Sequence, residues 1–204
     1  NNPTKVADFK TAFAATSDRP RFVDRTSWAD DLKQAHDPAG NSANFEPQGL
    51  ETNAVPQNVL DDMANEASAP QFIPDYVKSG GDIPEKVSVS SGYTVYKVVP
   101  VGGNPISPFS PFWIKLDQLN LYKNGTDFEQ KLGLPVASHG AKYDVFKIEL
   151  KSGQQADVFE SPIANTIENG YETIGGAIQS LVLDRGKWTD PELVPSLEIF
   201  PPIN

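Results

Sequence analysis

The sequence predicts an α+β protein in two parts: a helical, loop-rich region over residues 1–87 and a β-rich region over residues 88–204. Three observations carry this reading. Before Gly80-Gly81, apolar residues recur at helical spacing and strand-like alternation is scarce. After that pair, apolar residues alternate or run together in short blocks, as in Tyr93–Val99 and Lys142–Leu150. The 18 prolines and 15 glycines among 204 residues argue for many loops and against a helical bundle.

Taken in order, Thr4 to Ala15 reads as a short amphipathic helix, with Val6, Phe9, Phe13 and Ala14 near one face and Pro20 closing the segment. A second helix is expected at Ser27–His36. Thr26 or Ser27 can cap it, and Asp30 and Asp31 place negative charge in its first turn. His36, at its end, is most simply a favourable partner for the helix dipole. Residues 38–57 are poor in apolar groups and read as loop. A third helix spans Gln57–Glu66, and a short one follows near Pro74–Lys78.

Beyond the glycine pair, strands are expected at Lys86–Ser90 and Tyr93–Val99. A Gly-rich loop from Gly102 to Pro105 leads into Ile106-Ser107-Pro108-Phe109-Ser110-Pro111-Phe112-Trp113-Ile114. Leu116–Leu121 and Thr126–Leu132 fit short helices or turns, with capping-box spacing between Thr126 and Glu129. Further strands are expected at Lys142–Leu150 and Ala156–Glu160, joined by a turn at Lys151-Ser152-Gly153-Gln154. Gly175-Gly176 then precede an apolar run in which Leu181–Leu183 forms the body of a buried strand. A Pro-rich tail closes the sequence.

Composition excludes several classes of chemistry. The chain has no cysteine, so disulfides, a thiol nucleophile and cysteine-based metal sites are ruled out. Its only histidines are His36 and His139, which leaves no multi-histidine metal site. The net charge of −10 argues against broad electrostatic binding to nucleic acid or to an anionic membrane. An anionic nucleotide remains possible through a local cationic pocket, as does a basic protein partner. No apolar run reaches membrane-span length, and the N-terminus has no signal-peptide core. The chain begins at Asn1 rather than Met, as a processed chain or a fragment of a longer one would.

Few motifs carry chemistry. There is no Gly-x-Ser-x-Gly elbow, no His-Glu-x-x-His and no phosphate-cradling Gly-x-x-x-x-Gly-Lys loop. Asn124-Gly125-Thr126 matches a glycosylation sequon, but Asn-Gly is also a good turn pair. His139 sits on a loop where it is either a general acid or base or a solvated side chain. More informative is Tyr96-Lys97-Val98-Val99 followed by Ser110-Pro111-Phe112-Trp113. A strand cation can pair with a phosphate, and aromatic residues beside a serine can line a pocket that stacks a planar ring. The plainer alternative is an edge strand with a surface lysine and an aromatic core. Gln179 is either solvated at a turn or aimed at a ligand.

Four segments together carry a resemblance: Tyr96-Lys97-Val98-Val99, Ser110-Pro111-Phe112-Trp113, Leu132-Gly133-Leu134-Pro135 and Gly175-Gly176-Ala177-Ile178-Gln179. Their order is similar to that of the NAD-processing toxin domains of bacterial polymorphic toxins. Within these, the chain resembles the tuberculosis necrotizing toxin family of NAD glycohydrolases. The resemblance covers residues 93–185, under half the chain. It implies an ADP-ribosyltransferase-like split-sheet fold for the β-rich part and NAD or NADP as substrate, with no resident cofactor or metal. It further implies Gln179 at the catalytic centre, Lys97 as a phosphate-binding cation, and Ser110, Phe112 and Trp113 lining a nicotinamide pocket beside Gly175 and Gly176. The family usually has Arg where Lys97 stands, and Arg offers a bidentate fork that Lys lacks.

By that resemblance the chain is a secreted bacterial effector delivered to a target-cell cytoplasm, with an immunity protein as partner. Residues 1–87 then serve delivery, linkage or immunity-protein binding. Transferases of this fold commonly carry Glu where Gln179 stands, so a neutral Gln favours hydrolysis over ADP-ribose transfer. Glu168 and Glu172 are the nearby carboxylates that would reverse that preference. Their simpler reading is as solvated charges flanking a turn. A non-catalytic binding domain, with the glycine pair a plain turn, is the third reading.

Overall fold

The computed structural model describes residues 45–101, 111–125, 127–134 and 142–197. The helices expected at 4–15 and 27–36, the Gly102 to Pro105 loop, Ser110, Thr126 and both histidines lie outside these residues.

The α+β class holds. Ten strands are described: β1 (Glu46–Pro47), β2 (Glu85–Ser90), β3 (Thr94–Pro100), β4 (Phe112–Ile114), β5 (Tyr143–Glu149), β6 (Gln155–Pro162), β7 (Thr166–Glu168), β8 (Tyr171–Glu172), β9 (Ile178–Leu181) and β10 (Glu192–Leu193). Seven form one antiparallel sheet in the order β10-β5-β3-β4-β9-β6-β2, and a smaller sheet has the order β1-β7-β8. Four helices accompany them: α1 (Gln57–Glu66), α2 (Ile73–Lys78), α3 (Leu116–Tyr122) and α4 (Phe128–Lys131). Among the described residues, no helix is long and apolar enough to cross a membrane.

Residues directly opposite in an antiparallel ladder share a face of the sheet, so the register assigns every side chain. Tyr96 faces Ile114, Ile114 faces Gln179, and Gln179 faces Ser161. These residues, with Phe112, Phe159 and Leu181, make up the first face. Helices α1 and α2 cover one end of it. Met63 of α1 and Ile73, Tyr76 and Val77, at helical spacing on α2, pack on Phe159, Leu181 and Leu183. Helices α3 and α4 cover the other end, where Leu119, Phe128 and Leu132 pack on Ile114, Tyr143 and Val145. The helices of residues 57–78 therefore share one core with the strands.

The second face holds Val95, Trp113, Ile148, Val158, Val182 and Trp188 in one cluster. A single 3-10 turn at Arg185–Lys187 leads into Trp188, which is 2% exposed. Lys187 pairs with Glu66 at 2.8 Å, tying that turn to the end of α1.

For Lys97 and Gln179 to share one site, as the resemblance implies, the strands at 93–99 and 178–183 would have to lie side by side. The structure corrects this: β4 stands between them. Trp113 and Ile114 are 2% and 6% exposed, and they point to opposite faces. A strand apolar on both faces belongs in the middle of a sheet covered on both sides. The segment is therefore a central strand rather than a loop around a pocket. Strand β3, flanked by β4 and β5, is not an edge strand.

Candidate functional site

A cavity of about 130 Å³ opens on the first face, where the two helical clusters part. Its sheet side is formed by Tyr96, Val98, Phe112, Ile114 and Gln179. Its remaining walls come from Ser79 after α2, from Leu132-Gly133-Leu134 after α4, and from Phe45, Pro47, Ile163 and Thr166 at the smaller sheet. The lining is mainly apolar, with a few polar groups converging on it. An apolar cavity of about 150 Å³ suffices to hold benzene. This one therefore suits a single planar ring, with any larger ligand extending outward from it.

Gln179 is a buried polar residue of the central sheet, at 3% exposure. Its Nε2 donates to Ser79 Oγ at 3.0 Å and to Ser161 Oγ at 3.2 Å. The position of β9 is fixed upstream by the glycine pair. Gly175 has φ +57, a left-handed conformation that glycine adopts without steric cost. A side chain there would run into the carbonyl of Ile163 and sit 2.7 Å from Ala164. The close approach lets Gly175 N donate to Gln130 O at 3.0 Å and Gly176 N to Ile163 O at 2.8 Å. Gln118 Oε1 then accepts from Ile178 N at 3.0 Å. Gly175 and Gly176 thus hold β9 against α4 and do not themselves line the cavity.

The sequence-derived residues divide between the two faces. Gln179 and Phe112 stand together at the cavity. Lys97 pairs with Phe146 in the β3–β5 ladder, and Trp113 pairs with Ser180. Both side chains therefore belong to the second face, and only their backbone borders the cavity. Lys97 Nζ lies 4.9 Å from the centre of the Trp113 ring, and Arg185 Cζ lies 5.4 Å from it. Burial, and then the neighbouring Arg185 charge, pull the Lys97 ammonium well below the usual lysine range. Lys97 is accordingly neither a surface lysine nor a neighbour of Gln179.

Beside this pair, Glu160 accepts from Lys115 Nζ at 2.8 Å, from Tyr93 Oη at 3.3 Å and from Ser180 Oγ at 3.3 Å. Burial and the Glu160 charge push Tyr93 up to about 12. The expectation for the carboxylates of the smaller sheet also needs dividing. Glu172 is exposed and accepts from Asn165 Nδ2 at 2.8 Å, whereas Glu168 is buried at 6% exposure.

Sequence reasoning missed Ser79, Ser161 and Thr166. Thr166 is buried, and its hydroxyl lies 2.8 Å from that of Thr173. One signal was present for Ser161. It shares strand parity with Phe159, so it is a polar residue on a core-facing position. Ser79 carried no such signal, because its place depends on α2 docking beside β9.

The fold and cavity define an antiparallel α+β chain with a ring-sized site over its central strands. No family model matches it, and no curated protein does. A solved structure similar in part is Rhs1-CT in complex with its cognate immunity protein RhsI1, at TM-score 0.40 and 17% identity. The match covers 58% of this chain and 81% of that one. A TM-score of that size establishes neither a common fold nor a common activity.

Proposed function

We propose that the chain is the NAD(P) glycohydrolase domain of a polymorphic toxin, cleaving NAD or NADP to nicotinamide and ADP-ribose or its phosphate. The observation that carries the reading is the ring-sized, mainly apolar cavity with Gln179 buried in its wall. Nicotinamide is a planar ring of suitable size, and Phe112 and Tyr96 supply aromatic surface around it. The Gly-Gly-x-x-Gln and Leu-Gly-Leu-Pro segments that carry the sequence resemblance both contribute: Gln179, Leu132, Gly133 and Leu134 are lining residues.

The reaction breaks the bond between ribose C1′ and the nicotinamide nitrogen. Nicotinamide leaves with the bonding electron pair and becomes neutral, so no strong general acid is required. Water adds to C1′ and releases a proton. The transition state has oxocarbenium character, as in glycoside hydrolysis. A neutral Gln179 holds the ribose or the water in place, and it brings no carboxylate to activate a protein nucleophile. Lys97 has no part in binding the phosphates. Lys131 is better placed: it precedes the lining residue Leu132, and its Nζ lies beside Gly176. Secretion, delivery into a target cell and capture by an immunity protein belong to the same proposal.

The test is nicotinamide release from NAD and from NADP by the full chain, with and without a cell lysate. Release without lysate, lost in Gln179→Ala, is the expected result. ADP-ribose appearing on a lysate protein would support a transferase instead. Absence of turnover in both conditions would leave a non-catalytic binding domain.

A further inference from the structure

A glutamine side chain ends in a donor and an acceptor, and the end that faces the cavity decides what it can bind. The structure settles this through the serines. Ser79 Oγ lies 2.7 Å from the carbonyl oxygen of Tyr76. A carbonyl oxygen cannot donate, so this bond uses the Ser79 hydroxyl proton. Toward Gln179, Ser79 can then only accept, and the Gln179 atom 3.0 Å away must be the NH2 nitrogen. The same nitrogen lies 3.2 Å from Ser161 Oγ. Both amide protons are committed to serines. Oε1 remains, and no group among the described residues donates to it.

We infer that Ser79 and Ser161 are positioning residues that hold Gln179 with its carbonyl oxygen as the ligand-facing group, so that the site takes a hydrogen-bond donor there, a ribose hydroxyl. This rests on reading the cavity as an NAD(P) site. The surrounding backbone is built to keep the arrangement. Ser161 stands directly opposite Gln179 in the β6–β9 ladder. Gly80 leaves the space that Ser161 Oγ occupies, because a Cβ at position 80 would approach that oxygen to 2.6 Å. Ser79 ends α2, and its own carbonyl accepts from Ala164 N at 2.9 Å. Three segments distant in sequence therefore converge on one amide group.

Two readouts on the full chain test this. The first needs no substrate: hydrogen exchange of the Gln179 side-chain NH2, followed by NMR and assigned by its loss in Gln179→Ala. Slow exchange is expected in the wild type, quickening about tenfold in Ser79→Ala and in Ser161→Ala, roughly one hydrogen bond each. The hydroxyl-retaining Ser79→Thr and Ser161→Thr are expected to stay near wild type, which separates orientation from general loosening. Fast exchange in the wild type, or exchange untouched by the alanine variants, overturns the inference.

The second readout is nicotinamide release. Each alanine variant is expected to lower kcat about 10- to 100-fold with KM little changed, because the ring cavity itself is intact. A pure KM effect overturns the ligand-facing role. If exchange behaves as expected but the wild type releases no nicotinamide, the orientation of Gln179 stands and the NAD(P) reading falls.

Discussion

Replacing Gly175 by alanine is the sharpest test of how Gln179 is positioned. Two costs add. A left-handed conformation costs a non-glycine residue about 1–2 kcal/mol. The new Cβ would also be driven into the backbone of Ile163 and Ala164, 2.7 Å from the latter. Relieving such overpacking costs about 1–3 kcal/mol. Gly153 provides the control. Its φ of +76 imposes a comparable conformational cost, but nothing lies within 4 Å of its would-be Cβ. Gly153→Ala is therefore expected to cost about 1 kcal/mol and Gly175→Ala about 3 kcal/mol. With a urea slope near 2 kcal/mol per molar, the extra 2 kcal/mol separates the two unfolding midpoints by about 1 M. Nicotinamide release should fall in Gly175→Ala and hold in Gly153→Ala. Equal urea midpoints would refute the argument that β9 is held by close backbone approach.

Three further outcomes are expected. Val98→Phe should fill much of the cavity, raising KM for NAD about tenfold or more while leaving the melting temperature unchanged or higher; unchanged KM would separate the cavity from activity. Lys131→Ala should raise KM, whereas Lys97→Met should not; the reverse pattern would return the phosphates to Lys97. Lys97 also makes a pH prediction. Its folded pKa lies below the unfolded value of 10.5, so between the two the unfolded chain binds more protons and stability rises with pH. Lys97→Met should flatten that rise in urea titrations below about pH 10, where tyrosines are still protonated in both states. Above about pH 10 Tyr93, held up to about 12 in the fold, acts in the opposite sense, since the native state keeps its proton, while Arg185, lowered to about 10 by burial, acts in the same sense as Lys97.

Much of the fold was legible because its elements are locally consistent. Helix α1 has the bounds that its apolar spacing implied, and β5 matches its alternation to within a residue at each end. What was not legible is relational. Alternation within β3 and β9 gives the two faces of each strand, but not which face of one matches which face of the other. That parity is set by β4, three residues long directly after Pro111 and apolar on both sides, so it shows no alternation of its own. Lys97 and Gln179 were therefore expected together and stand on opposite faces. The smaller sheet was missed for a similar reason, since β1 and β8 have two residues each. The Gly-Gly pair was readable as special backbone, but the partner it approaches, Ile163–Ala164, was not.

Strand β9 has only four residues, yet it pairs with β4 on one side and β6 on the other. Remove it, and β5, β3 and β4 no longer connect to β6 and β2. A chain synthesised from its N-terminus therefore holds two unjoined half-sheets until residue 181 has emerged. The step that joins them is also the step that brings Gln179 between Ser79 and Ser161. Assembly of the site is thus withheld until β9 has emerged. A protein that binds either half-sheet edge before β9 arrives would prevent the site from forming, without ever touching the finished cavity.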